Sequence, residues 1–274
     1  MIKVQQQICV CFTTLFVCVL MVLVPSAYAG TAPSETAALK AAKTQMQTTA
    51  PQTVLELFTS QGCSSCPAAN AYIRNLYDDQ GGQDQPVLVL SYSVDYWDYL
   101  GWKDTFGKPE FSAHQRTYGQ HFNGQVYTPQ MVLNGAEHSS SYTPEKVRKS
   151  KLDAHSFDVT ISENTKSDGL KLHIKQTKAQ AAPVPSKHAY TVMAITYKPG
   201  IHSVPVKRGE NKGRTVRLAN VVTGCANIAT FTVTKDEPVS LTQTLPPVKK
   251  GEALAILIQA KKGGPILSAT LYAP

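Results

Sequence analysis

The stretch LFTSQGCSSCPAANAY, residues 57–72, constrains this chain more than any other. A short apolar run, TVLELF, passes through a glycine-containing turn into Cys63 and Cys66. Pro67 follows, suited to the first turn of a helix, where its missing N–H costs no hydrogen bond. The pattern predicts a strand that delivers two cysteines to the start of a helix. That helix should run through AANAYIRNLYDD and stop at Gly81-Gly82. PVLVLSYSV then has the continuous apolar character of a strand covered on both faces. Strand, helix and strand in this order imply a right-handed parallel crossover.

Further along, an aromatic-rich stretch, DYWDYLGWKDTF, precedes a predicted helix from Pro109 to Phe122. Tyr127-Thr128-Pro129 leads into the strand QMVL, and Asn134-Gly135 signals a tight hairpin turn. Thr143-Pro144-Glu145 starts a helix that ends near Leu152. The order βαβ, helix, β-hairpin, helix is that of the thioredoxin architecture. Beyond Asp153 the pattern changes. FDVTIS and LKLHIK alternate apolar with polar residues, and HAYTVMAITYK, ATFTVT, VSLTQTL, ALAILIQA and ILSATLYA continue the series. The expected fold is an α/β thioredoxin-like domain over 53–153, followed by an all-β, sandwich-like C-terminal domain over 154–274.

The chain opens on a targeting signal. Lys3 precedes the apolar run Ile8 to Val24, and Pro25-Ser26-Ala27-Tyr28-Ala29 supplies small residues in an A-x-A pattern, which predicts a signal peptide over 1–29 cleaved before Gly30. An uncleaved anchor is the alternative. Residues 30–52, rich in Ala, Thr and Gln, read as a tether. Cleavage removes Cys9, Cys11 and Cys18 of the six cysteines and lowers the formal net charge from +8 to +7. The expected location is periplasmic or extracellular, with no stable membrane insertion after cleavage. A modest basic excess there suits solubility or anionic surfaces rather than nucleic acid. The basic runs KVRKSK and KRGENKGR read as solvated faces.

Oxidising surroundings favour a disulfide between Cys63 and Cys66. Three roles stay open for the pair: a redox couple, half of a metal site, or a structural clip. Thiol exchange needs one accessible, acidified thiol and a second within reach. Cys63, facing the free N–H groups and positive end of a helix dipole, fits the first role, and Cys66 in the first turn fits the second. Structural zinc wants a second pair of ligands, and none appears at a suitable spacing. Copper needs only two thiolates and a histidine. Pro129 falls where an X-Pro bond can be cis, and Thr128 before it can offer backbone groups to an extended partner chain. Glu56, inside VLELF, either relays a proton at Cys66 or faces solvent from a strand edge. Tyr96, Trp97 and Trp102, with Asp95 and Asp98, read as a substrate-facing wall or as a capping mini-core. Cys225 reads as a buried free thiol, and His173 as a surface residue.

The segments VLELFTSQGCSSCPAAN, SVDYWDYLGWKDTF, YTPQMVLNG and RGENKGR…VRLANVV together resemble an uncharacterised family of secreted bacterial proteins with a thioredoxin-like domain. The resemblance spans roughly Thr53 to Ala273. It implies a thioredoxin-like fold carrying Cys63 and Cys66, with Pro129 in a cis-proline position. VLELF is also similar to the strand preceding the cysteine pair of periplasmic disulfide oxidases, whose acid matches Glu56. Where the family often has a histidine before VDYWD, this chain has Ser93. The expected activity is thiol–disulfide exchange with protein partners, Cys63 attacking and Cys66 resolving, with Thr128 and Pro129 guiding the partner and Glu56 assisting. No organic cofactor or metal is expected, since the disulfide itself carries two electrons. The rival expectations are a copper-handling protein using the same cysteines and a non-catalytic envelope-binding module.

Overall fold

Strand β1 (Thr53–Thr59) is buried along its whole length because it has a strand on each edge and a packed layer on each face. In the computed structural model, which describes residues 50–79, 87–152, 157–164, 169–177, 188–233 and 239–274, β1 pairs in parallel with β2 (Val87–Ser93) and antiparallel with β3 (Gln130–Leu133). The predicted leader, the tether up to residue 49, the Gly81-Gly82 helix stop and the boundary at 153–154 lie outside these residues.

The strand's period of two divides its side chains between two layers. Leu55 and Leu57 pack with Ala69 and Ile73 of helix α1 (Cys66–Asp78), together with Val87, Val89, Met131 and Leu133. Val54 and Phe58 face the other way, toward Phe111 and Tyr118 of helix α2 (Pro109–His121). Each such fully buried large apolar side chain contributes roughly 1.5–3 kcal/mol. Strand β4 (Glu137–Ser139) closes the hairpin with β3, and a short helix α3 (Pro144–Lys149) follows. The α3 start matches its sequence signal, since the Thr143 side chain accepts from the Lys146 N–H.

The second half of the chain corrects the expected fold class. Strands do form at the positions expected: β5 (Phe157–Glu163), β6 (Leu170–Gln176), β9 (Ser240–Leu245), β10 (Ala253–Ala260) and β11 (Ile266–Tyr272). They do not make a separate all-β domain behind a thioredoxin-like one. The long strands β7 (His188–Pro205) and β8 (Thr215–Val233) carry β10 and β11 into the same sheet as β1 and β2, in the order β11-β10-β7-β8-β2-β1-β3-β4. The protein is therefore mostly β, built on one mixed eight-stranded sheet with few helices, and its described residues belong to a single compact unit, Gln45–Pro274.

The join lies between β2 and β8, where Ser91 is partnered with Val221. The Ser91 hydroxyl donates to the Ala219 carbonyl at 2.7 Å. Asn220, in the left-handed region at φ 47°, donates from its carboxamide to the Val89 carbonyl at 3.0 Å and accepts from the Gly200 N–H at 3.1 Å. Asparagine tolerates that backbone conformation better than most residues, and its side chain satisfies groups that the irregular ladder leaves unpaired.

A three-stranded sheet, β5-β6-β9, covers part of the large one. Alternate residues of β10 enter different cores. Leu254, Ile256 and Ile258 meet Leu172 and Ile174 of β6, whereas Ala255 and Leu257 share a core with Val54, Phe58 and Tyr118. The core under the cysteine-bearing half is thus filled partly by side chains from β7, β10 and β11. A chain ending at Leu152 loses that layer and the β2–β8 pairing. It should show no cooperative denaturant transition by circular dichroism, where a self-sufficient N-terminal domain would show one.

Candidate functional site

Helix α1 begins at Cys66, and Pro67 occupies its first turn as expected. Cys63 and Cys66 lie within disulfide distance, with Cα atoms 5.4 Å apart, inside the usual range for that bond. The helix start has no side-chain cap and no acidic residue in its first turn, so nothing there neutralises the positive end of the helix dipole. The Cys66 N–H bonds to the Cys63 carbonyl at 3.2 Å, and the Cys63 N–H to the Ser60 carbonyl at 3.2 Å.

The Thr128–Pro129 bond is cis, and its loop comes to the cysteines. The Thr128 hydroxyl donates to Cys63 Sγ at 3.3 Å, and Ser65 Oγ stands 3.3 Å from the same sulfur. Trp97 Nε1 donates to Thr128 Oγ1 at 2.7 Å. The sequence predicts an accessible Cys63, but these neighbours leave it only 3% exposed, and Cys66 is wholly buried. Ser64 and Ser65 are exposed, so the sulfur of Cys63 lies just beneath the surface rather than on it.

The turn that carries Cys63 is clamped from two directions. Gln61, fully buried, receives the Trp102 indole N–H on Oε1 at 2.9 Å and donates from Nε2 to Thr105 Oγ1 at 2.6 Å. Its backbone N–H bonds to the Asp104 carboxylate at 2.7 Å. Burial raises the Asp104 pKa above the ordinary aspartate value, against the lowering effect of the N–H groups of Gln61 and Phe106. The aromatic stretch is therefore a clamp at Trp102 and, at Trp97, a donor to the Thr128 hydroxyl.

The second clamp comes from the far half of the chain. Asn211, also fully buried, donates from one carboxamide nitrogen to the carbonyls of Gln61 at 3.0 Å and Cys63 at 2.8 Å. Its surroundings, KRGENKGR, have the composition of a solvated face. The lysines and arginines there are exposed, but Asn211 between them points inward. The sequence signals for it are an uncharged residue inside a charged run and the place of RGENKGR among the segments that carry the family resemblance. Gly62 serves the same packing: a Cβ there would stand 3.3 Å from Trp97 Cβ and 3.4 Å from its carbonyl oxygen.

Cys63, Cys66 and Thr128-Pro129 thus gather in one place, and Glu56 does not join them. Six residues before Cys63 stands Leu57, on the α1 side; Glu56, one residue earlier, faces α2. There it accepts from His114 Nε2 at 3.1 Å and from the Tyr118 hydroxyl, and it is completely buried. Tyr118 is held well above the ordinary tyrosine pKa, by burial first and by the Glu56 charge second. Gln259 of β10 donates to Tyr118 Oη at 2.9 Å, extending the network into the other half of the chain. Cys225 is free and lies toward this network. With His114 and Met193 it lines a cavity of about 330 Å³. Burial, followed by the charges of Glu56 and Glu110, raises its thiol pKa, which suits an inert thiol. His173 is exposed, as expected, and bonds to Thr242 Oγ1 at 3.0 Å. Among the described residues, no three His, Cys, Asp or Glu side chains form a cluster able to hold a metal ion.

Comparison with known proteins adds the following. The model of a family described as "Protein of unknown function (DUF1223)" matches residues 54–259. The X-ray crystal structure of protein AGR_C_4864 from Agrobacterium tumefaciens is similar at 26% identity and a TM-score of 0.58, over 82% of this chain and 95% of that one. HBP35 of Porphyromonas gingivalis is similar at 12% identity and a TM-score of 0.55, over 81% of this chain and 74% of that one, a likeness of fold alone. No curated protein matches the chain.

Two substitutions separate the clamp from the buried network. Asn211→Ala takes the side-chain donor from the buried Gln61 carbonyl and leaves the Cys63 carbonyl with the Cys66 N–H alone; it should cost about 1–3 kcal/mol, with faster hydrogen exchange at Gly62 and Cys63. Glu56→Ala should cost about 3 kcal/mol by denaturant melt, because His114 and Tyr118 lose their acceptor. It should leave the reduction potential of the cysteine pair unchanged, whereas a proton relay at Cys66 would shift it.

Proposed function

We propose that this chain, which belongs to the DUF1223 family, is a thiol–disulfide oxidoreductase acting on protein partners through Cys63 and Cys66. The observation that carries this reading is the meeting of three features at one sulfur: the uncapped helix start, the second cysteine within disulfide distance, and the Thr128 hydroxyl donated from a cis-proline loop. The first and third favour a thiolate at Cys63, and the second resolves what the thiolate forms.

With the pair reduced, the Cys63 thiolate attacks one sulfur of a partner disulfide. A mixed disulfide forms, and the partner's other sulfur leaves as a thiolate. Cys66, once it has lost its proton to solvent, attacks the Cys63 sulfur and expels the partner's remaining sulfur as a thiolate. Two electrons have then passed from the cysteine pair to the partner. With the pair oxidised, the same steps run in reverse and oxidise a partner dithiol. No group beyond the two cysteines is required in either direction.

Access to the buried Cys63 sulfur requires its exposed neighbour Ser65 to shift as a partner arrives. An extended partner chain is suited to this, since it can pair with backbone groups of the Thr128 loop while its own sulfur moves in. The proposal includes export, on the strength of the leader-like residues 1–29; among the described residues no helix is long and apolar enough to cross a membrane. Outside the cytoplasm the pair meets partners whose own thiols are being oxidised.

A Cys66→Ala variant removes the resolving thiol and should accumulate mixed disulfides with partner proteins through Cys63. These should be visible as reductant-sensitive adducts on non-reducing gels and absent from Cys63→Ala. Equal adduct levels in both variants, or none in either, would remove the exchange reading.

A further inference from the structure

The hydroxyl of Thr128 is oriented by the group that donates to it. An indole N–H donates and never accepts, so the 2.7 Å bond from Trp97 Nε1 makes Thr128 Oγ1 the acceptor. The hydroxyl proton must then point elsewhere, and Cys63 Sγ lies 3.3 Å away to receive it. Ser65, the other hydroxyl beside this sulfur, lacks that constraint, since its Oγ also lies 3.5 Å from the Thr128 carbonyl oxygen as an alternative acceptor.

We propose that Trp97 is a positioning residue for the thiol chemistry of Cys63: it fixes the Thr128 hydroxyl as a donor to the sulfur and so stabilises the thiolate once the pair is reduced. This role deepens the oxidoreductase reading and draws its purpose from it, although the first measurement below does not depend on it.

The rest of the site holds both ends of the relay in place. Gln115 of α2 is fully buried, and its carboxamide is committed on every side. Its Oε1 accepts from the Tyr96 hydroxyl at 3.0 Å; its Nε2 donates to the Tyr127 carbonyl at 2.7 Å and to Gln130 Oε1 at 2.8 Å. One side chain therefore ties the residue before Trp97 to the residue before Thr128. On the other side the Trp97 backbone lies against Gly62, where no side chain intervenes. The exposed ring of Tyr99 stacks on the indole at a centroid distance of 6.3 Å. A donor held so firmly favours the charged form of the sulfur without reorganisation, and hydrogen bonds to a charged acceptor are the stronger kind.

The sign follows directly. Stabilising the thiolate lowers the pKa of Cys63. It also stabilises the reduced pair relative to the disulfide, which makes the pair more oxidising. Removing the indole N–H should reverse both effects.

The test is the pH dependence of Cys63 alkylation in the reduced protein, with the modified residue assigned by mass. Trp97→Phe keeps an aromatic ring but has no N–H, and should raise the Cys63 transition by about one pH unit, a roughly tenfold loss of thiolate below it. Thr128→Val should give at least as large a rise, and Thr128→Ser, which keeps a hydroxyl, should restore the wild-type value. In the double variant Trp97→Phe/Thr128→Val the shift should equal that of Thr128→Val alone, because both act through one hydroxyl. An unchanged transition in Trp97→Phe, or shifts that add in the double variant, would overturn the role. Mixed-disulfide trapping with Cys66→Ala reads the exchange reaction separately. A shifted transition without trapped partners removes the enzyme and keeps the relay; trapped partners without a shift do the opposite.

Discussion

Two hydrogen bonds from the Asn211 carboxamide hold the cysteine turn in the shape on which everything else depends. The turn has little of its own to fix it: Gly62 has no side chain, and Ser64 and Ser65 face solvent. Without Asn211 the Gln61 carbonyl would need another donor and the Cys63 carbonyl would keep only the Cys66 N–H, and buried carbonyls short of donors are costly. With Asn211 in place, Cys63 arrives at the start of α1 in a set position, and Thr128 can meet its sulfur. The site therefore belongs to the whole chain. Its cysteines come from one half and its clamp from the other, and the β2–β8 junction through Ser91 and Asn220 keeps the halves in register.

That dependence explains what the sequence revealed and what it hid. Local signals read well. Pro67 after the cysteines marked a helix start, Pro109 opened a helix that ends at His121, one residue short of the expected Phe122, and Thr143-Pro144-Glu145 capped α3 as anticipated. Alternation located β5, β6, β9, β10 and β11. The failure came at β8. Only its last residues, ATFTV, alternate clearly, so the sequence pattern does not mark the stretch from Thr215 onward as strand. Its middle carries Asn220 in a left-handed conformation and register shifts against β7, which disrupt the period on which sequence reading relies. Those irregular residues are the ones that meet β2. Missing them turned one sheet into two expected domains.

Glu56 shows a finer form of the same limit. Its place in an apolar strand correctly suggested burial or an edge, but the side it faces depends on register, and a one-residue difference in a strand reverses the face. The carboxylate serves a network of His114, Tyr118 and Gln259 that joins β1, α2 and β10. It ties together the layer behind the cysteines, on the face of β1 away from α1. Cys225 sits on that side too, outside the disulfide pair, and burial raises its thiol pKa.

A redox titration of the full chain in its native state, with free thiols alkylated and counted by mass at each potential, tests the central claim most directly. The account predicts one two-electron transition in which Cys63 and Cys66 gain label together while Cys225 keeps a constant, slow reactivity throughout. A pair that stays oxidised until the protein unfolds would contradict it, since a disulfide closed to exchange in the folded state is a structural clip.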